Sequence, residues 1–69
     1  MTSPVPSIDL YRKVRGAFIA KGETLKGWCR DNGTHFSNAR NSLVGSWDGP
    51  RGREMRARIV KASGLKLSA

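Results

Sequence analysis

Residues that could form disulfides or bind structural metals are scarce in this chain, which has one cysteine and one histidine among 69 residues. A single cysteine cannot form an intramolecular disulfide, and one Cys with one His supplies too few ligands for a structural zinc site. A chain of this length makes one domain and buries only about 60% of its unfolded surface. We therefore expect a marginally stable domain without metal or cofactor, for which self-association is the remaining way to bury more surface.

Long apolar runs are absent as well. No stretch approaches the ~18 consecutive apolar residues of a membrane-spanning helix. The N-terminal sequence MTSPVPSIDL has neither the basic leader nor the apolar run of a signal peptide. We expect no membrane partner, and the lone thiol indicates the reducing environment of the cytoplasm.

Acidic residues are few: five Asp and Glu stand against thirteen Lys and Arg, which gives a net charge of +8. A charge this large repels itself within a compact domain, so we expect a polyanionic partner, with nucleic acid favoured over a membrane. The carboxylates are scattered, and no pair has a spacing suited to metal binding or acid–base chemistry. The glycine-rich segment 45–52 lacks the Lys-Ser/Thr pair of a phosphate-binding loop. The sequence therefore predicts a binding protein and not an enzyme.

The apolar periodicity predicts an all-α fold, a compact bundle of about four short helices, and the strand signal is weak everywhere. We expect an irregular arm over residues 1–7, which hold two of the three prolines. One helical domain should follow over 8–65, with a short tail over 66–69.

Two helices are expected in the first half of the chain. The first should start at or just after Ser7, a good N-cap, and run to about Lys21, because four apolar residues follow helical spacing: Leu10, Val14, Ala17 and Phe18. The second should be short, with Thr24 as its N-cap. It should stop at Asn32-Gly33, since both residue types tolerate the left-handed backbone of a sharp turn.

A third helix should begin after Thr34, another N-cap type, and end at Gly45. Its inward face is predicted to be Phe36, Ala39 and Leu43, and its outer arc Ser37, Arg40, Asn41 and Val44.

A fourth helix is expected after a loop over 46–52, in which Asp48 can cap the helix and Pro50 suits its first turn. It should run to about Ala62 and carry a stripe of Met55, Ile59 and Ala62. A stop at Ser63-Gly64 would let Leu65 pack back against the helix end.

The segment from Leu25 to Leu43 has the composition of a helix-turn-helix. Cys29 and Ala39 are small residues where the two helices would cross, and Gly33 lies in the turn. The outer arc of the second of these helices is polar, which is the remaining requirement for reading DNA.

Over roughly residues 8–62, this pattern resembles the helix-turn-helix of the Cro and CI phage-repressor class. It resembles more closely the small Ner-like regulators of transposable phages. The resemblance implies a lambda-repressor-like fold in which the helix over 34–44 enters the major groove. The implied base readers are His35, Phe36, Ser37, Arg40 and Asn41. Asn38 on the same helix is a further candidate, and the periodicity leaves open whether Phe36 packs inward or touches DNA.

Phosphate contacts are expected on either side of the reading helix. The densest basic run lies around the start of the fourth helix, and the alternative there is an ordinary solvated helix face. The predicted contacts are Thr24, Lys26, Thr34, Arg51, Arg53 and Arg56.

These features predict a sequence-specific regulator that binds double-stranded DNA, a repressor or autorepressor from a phage or mobile element that occludes a promoter. Alternatives are an excisionase-like architectural DNA binder, a nucleic-acid binder of low specificity, and an antitoxin or antiactivator whose basic face meets an acidic protein. We expect a homodimer, at least on an inverted-repeat operator. Its interface could lie in the last helix and tail, at Val60, Leu65 and Leu67.

Overall fold

A computed structural model describes residues 5–65, which form four α-helices and contain no strand. The helices are α1 (Ile8–Ala20), α2 (Leu25–Asp31), α3 (Phe36–Val44) and α4 (Pro50–Ser63). They pack into a body of 27 × 26 × 19 Å. The predicted all-α bundle is confirmed, and residues 1–4 of the arm and the tail over 66–69 lie outside the described residues.

The start of α1 is fixed by side-chain capping and by a tie to α3. The Ser7 hydroxyl accepts a hydrogen bond from the Leu10 N–H at 2.9 Å, as its residue type predicts. The Ser7 N–H itself donates to the Leu43 carbonyl at 2.9 Å. The chain entering α1 is therefore hydrogen-bonded to the last turn of α3.

The core surrounds α3, which contacts each of the other three helices. Its Ala39 and Leu43 are fully buried. Burial raises the pKa of the Cys29 thiol, as expected for a small core residue that stays protonated at neutral pH. The remaining buried apolar residues are Leu10, Tyr11, Val14, Phe18, Leu25, Ile59 and Val60.

The buried face of α4 differs from the predicted stripe. Met55 and Ala62 are only half-buried at its edge, while the face that enters the core consists of Gly52, Arg56, Ile59, Val60 and Ser63. Val60 is 6% exposed, so it is a core residue and its prediction as a dimer contact is wrong. Leu65 packs back on the core as predicted, and Leu67 lies outside the described residues.

The start of α4 also corrects two predictions. The helix begins at Pro50, inside the segment expected to be a loop, because Pro50 occupies the first helical turn and Gly49 is the N-cap. Asp48 does not cap this helix. Its carboxylate instead accepts a hydrogen bond from the Arg56 guanidinium at 2.9 Å and lies 3.5 Å from Nε of Arg53.

Arg56 is a structural residue and not a phosphate contact, which corrects a further prediction. It is 5% exposed, and its second terminal nitrogen donates to the Ser42 carbonyl at 3.0 Å. One guanidinium thus joins α4 to α3 and to the loop between them. A side chain held in this way cannot reach a DNA backbone. Within an apparently uniform basic run, only tertiary packing separates Arg56 from its exposed neighbours.

The Asp48–Arg56 contact should make stability depend on pH. The hydrogen bond from Arg56, followed by the nearby positive charges, lowers the pKa of Asp48 below its ordinary value of 3.8 despite some desolvation. The contact therefore stabilises the fold above that ordinary value, and its contribution disappears as the pH falls through the lowered pKa.

We expect Asp48→Asn to unfold more easily than the wild type at pH 7 and the difference to shrink progressively below pH ~4. Urea titrations of both proteins across this range provide the measurement. A constant difference down to the lowest pH would show that ionised Asp48 does not carry the effect.

Candidate nucleic-acid interface

The turn between α2 and α3 determines where α3 begins. Gly33 has a φ of 64°, a left-handed conformation that is easy for glycine. The next residue, Thr34, donates its N–H to the Cys29 carbonyl at 2.9 Å. The N-cap of α3 is His35 and not Thr34 as predicted, and no side chain caps this end. Thr34 itself is half-buried, and its exposed hydroxyl donates to the Asn32 carbonyl at 3.4 Å.

The polar residues of the predicted outer arc of α3 are accessible, whereas Val44, which was predicted on the same arc, packs against the core. Ser37, Asn38 and Arg40 are exposed, and Asn41 is half-buried. Ser37 and Asn41 are four residues apart and therefore share one face of the helix. Ser42 shows the opposite behaviour, since it is fully buried and its hydroxyl donates to the Ala39 carbonyl at 2.7 Å. The predicted reading helix thus presents hydroxyl, amide and guanidinium groups to the outside, with exposed His35 at its start.

One aromatic ring joins α1 to this face. The guanidinium of Arg40 lies 5.5 Å from the ring centroid of Tyr11, and the guanidinium of Arg15 lies at the same distance from the same ring. Both distances are within the range of a cation–π interaction. Tyr11 and Arg15 were absent from the predicted site.

A shallow groove runs beside this ring, between α1, α2 and the start of α3. It brings Phe36, predicted as a base reader, together with Thr24 and Lys26, predicted as phosphate contacts. The further lining residues are Tyr11, Arg15, Ile19 and Leu25. Phe36 is half-buried, so it packs against the core and also lines the groove. Thr24 uses its hydroxyl to accept the Gly27 N–H at 3.0 Å, which makes it the predicted N-cap of α2.

The exposed arginines of α4 have different surroundings. Arg51 lies in a second groove with Trp47, Met55 and Arg58. The Arg58 guanidinium lies 5.7 Å from the Trp28 ring centroid. Arg53 is exposed and close to Asp48. Of the three α4 residues predicted to contact phosphate, the structure leaves Arg51 and Arg53 accessible.

The positive charge around α3 is not neutralised within the described part of the chain. The exposed ion pairs among residues 5–65 are Lys13–Asp9, Lys21–Glu23, Arg30–Asp31 and Arg53–Asp48. Arg15, Lys26 and Arg40 form no ion pair with a carboxylate of residues 5–65. These three cations are therefore free to meet an external anion.

The sequence contains a partial indication that Tyr11 and Arg15 of α1, which the predicted site lacked, could belong to it. Tyr11 and Arg15 are four residues apart and border the Leu10–Val14–Phe18 stripe, so both lie at the edge of the buried face. Periodicity alone does not tell which neighbouring helix covers that edge. The contact with Arg40 depends on how α1 packs on α3.

Comparison with protein-family models, curated proteins and solved structures gave no match. Among residues 5–65, no group of three His, Cys, Asp or Glu side chains could hold a metal ion. None of the described helices has the length and apolar character needed to cross a bilayer. The resemblance to Ner-like regulators stays a prediction.

Proposed function

We propose that this protein is a sequence-specific regulator that binds double-stranded DNA by placing α3 in the major groove. The observation that carries the proposal is the accessible polar arc of α3, formed by Ser37, Asn38, Arg40 and Asn41. Arginine can donate to both acceptors of a guanine edge, and asparagine can pair with an adenine edge. Each good pair supplies about 1–3 kcal/mol of discrimination between bases.

Contacts to phosphate would hold α3 in register. Lys26 and Thr24 lie at the start of α2 beside the groove that Phe36 lines, and they would meet the backbone on one side of the reading helix. Arg51 and Arg53 are exposed in the first turns of α4 and would add electrostatic grip. Contacts of this kind fix orientation without selecting a sequence.

The regulator is proposed to act as a two-fold pair on DNA. A single short helix reads only a few base pairs, which is too little against about a million or more competing sites. Two copies with reading helices about 34 Å apart would select an inverted repeat. Protection of one asymmetric half-site by one chain would contradict the pairing.

A pair bound over a promoter would repress by excluding polymerase. Repression, including autorepression, is therefore the proposed role, in the cytoplasm of a bacterium or of a phage-infected cell.

Binding should be steeply salt-dependent. Each neutralised phosphate releases counterions and adds about −0.9 to the slope of log affinity against log salt. We expect about four to eight phosphate contacts for the bound assembly, and thus a slope between about −4 and −7. Fluorescence anisotropy with a labelled duplex from low to physiological salt measures it. A slope near zero, or no binding, would favour an acidic protein as the partner of the basic face.

A further inference from the structure

We propose that Tyr11 of α1 is a positioning residue that sets the orientation of Arg40 and thereby the sequence specificity of α3. The inference rests on the proposed function and extends it to a residue outside the reading helix. It also adds Arg15 to the DNA interface, as a phosphate contact held against the same ring.

Burial makes the Tyr11 ring a fixed platform. Tyr11 is 9% exposed and belongs to the core cluster. Its ring is therefore fixed in place by the surrounding core residues. Arg40 is exposed, and its guanidinium lies 5.5 Å from the centroid of that ring. An exposed arginine would otherwise sample many rotamers.

This contact suits base recognition for two reasons. When the face of a guanidinium packs on a ring, its in-plane N–H donors stay available for the two acceptors of a guanine edge. A side chain already ordered in the free protein also loses less conformational freedom on binding. The ring therefore favours the bound orientation of Arg40 before DNA arrives.

The second cation explains why α1 belongs to the interface. Arg15 lies against the same ring at 5.5 Å, and neither arginine forms an ion pair with a carboxylate of the described residues. Two like charges close to one ring repel each other, and an anion close to both would offset that repulsion. The DNA backbone beside the reading helix would supply that anion.

A double-mutant cycle tests the positioning role. The proteins are wild type, Tyr11→Phe, Tyr11→Leu, Arg40→Ala and the Tyr11→Leu/Arg40→Ala double variant. The probes are the duplex that the wild type enriches from a randomised library and a scrambled duplex of the same length. Tyr11→Phe keeps the ring and should bind like the wild type. Tyr11→Leu should lose about three- to tenfold in affinity for the enriched duplex, and much less for the scrambled one.

The coupling is the decisive quantity. In the Arg40→Ala background, Tyr11→Leu should cause no further loss of specificity, because the side chain it orients is gone. Additive losses, or equal losses on both duplexes, would overturn the inference while leaving the proposed function intact. A wild type that enriches no sequence would overturn both.

A measurement without DNA covers the case in which Tyr11→Leu fails to fold. In the free wild type, the ring should shift the NMR signals of the Arg40 Hδ protons upfield, and Tyr11→Phe should preserve that shift. Unshifted Hδ signals would overturn the inference.

Lys13→Ala is the matched control for Arg15→Ala. Lys13 lies on the other side of α1, about 200° around the helix from Arg15, and pairs with Asp9 at 3.1 Å. Arg15→Ala should weaken binding to both duplexes and make the salt slope shallower by about 1. Lys13→Ala should change the slope little. Equal slopes for the two variants would remove Arg15 from the interface.

Discussion

Replacing Gly52 with alanine is expected to lower the free energy of unfolding by about 1–3 kcal/mol, a large fraction of what a domain of this size has. A Cβ at this position would lie 2.7 Å from the carbonyl carbon of Trp47 and closer still to its oxygen. These are backbone atoms, so no side-chain rotation relieves the clash. The first turns of α4 would have to move away from the loop that precedes them.

Gly16→Ala is the matched control, because Gly16 is also inside a helix but has no neighbour within 4 Å of its added Cβ. Helix propensity alone makes alanine about 1 kcal/mol more stable than glycine. We therefore expect Gly16→Ala to stabilise the protein and Gly52→Ala to destabilise it in urea titrations. Stabilisation by both would contradict the close packing of α4 on Trp47.

The second large effect distinguishes contacts to DNA bases from contacts to DNA phosphates. Asn41→Ala should cost about 1–3 kcal/mol on the enriched duplex and much less on a scrambled one. This substitution removes the side chain of Asn41 but keeps its backbone carbonyl, which accepts hydrogen bonds from the N–H groups of Gly45 and Trp47. The α3–α4 connection should therefore stay intact.

Arg53→Ala supplies the contrast. Loss of a phosphate contact should weaken binding to both duplexes alike and reduce the steepness of the salt dependence by about 1 in slope. Anisotropy titrations of both variants on both duplexes measure the difference. If the two variants behave in the same way, α3 is not the reading helix.

Local chemistry explains why much of the fold was predictable. Helix starts depend on a side chain and the N–H groups just after it, so Ser7 and Thr24 were recognised as caps from their residue types. The glycines predicted to end α3 and α4, Gly45 and Gly64, have positive φ in the structure. These signals span only a few residues and need no tertiary information.

The errors on α4 lie where tertiary contacts override local pattern. The pattern of apolar residues alone predicts the wrong buried face for α4, because Gly52 and Arg56 are part of the face that enters the core. Glycine is there because a side chain would meet Trp47, and arginine because its guanidinium binds Ser42 and Asp48. Neither reason is present in the periodicity.

The candidate site divides in the same way. The polar arc of α3 followed from helical spacing, since residues opposite Ala39 and Leu43 must face outward. The part contributed by Tyr11 and Arg15 requires the packing of α1 on α3. That packing brings the guanidinium groups of Arg15 and Arg40 close to the Tyr11 ring.

Selection from a library of randomised duplexes tests sequence-specific DNA binding most directly. Wild-type protein should enrich an inverted repeat whose half-site centres lie about 34 Å apart. Asn41→Ala should lose enrichment at one position of each half-site, as expected for a residue that reads a base. Recovery of duplexes without any shared sequence after repeated rounds would contradict the proposal.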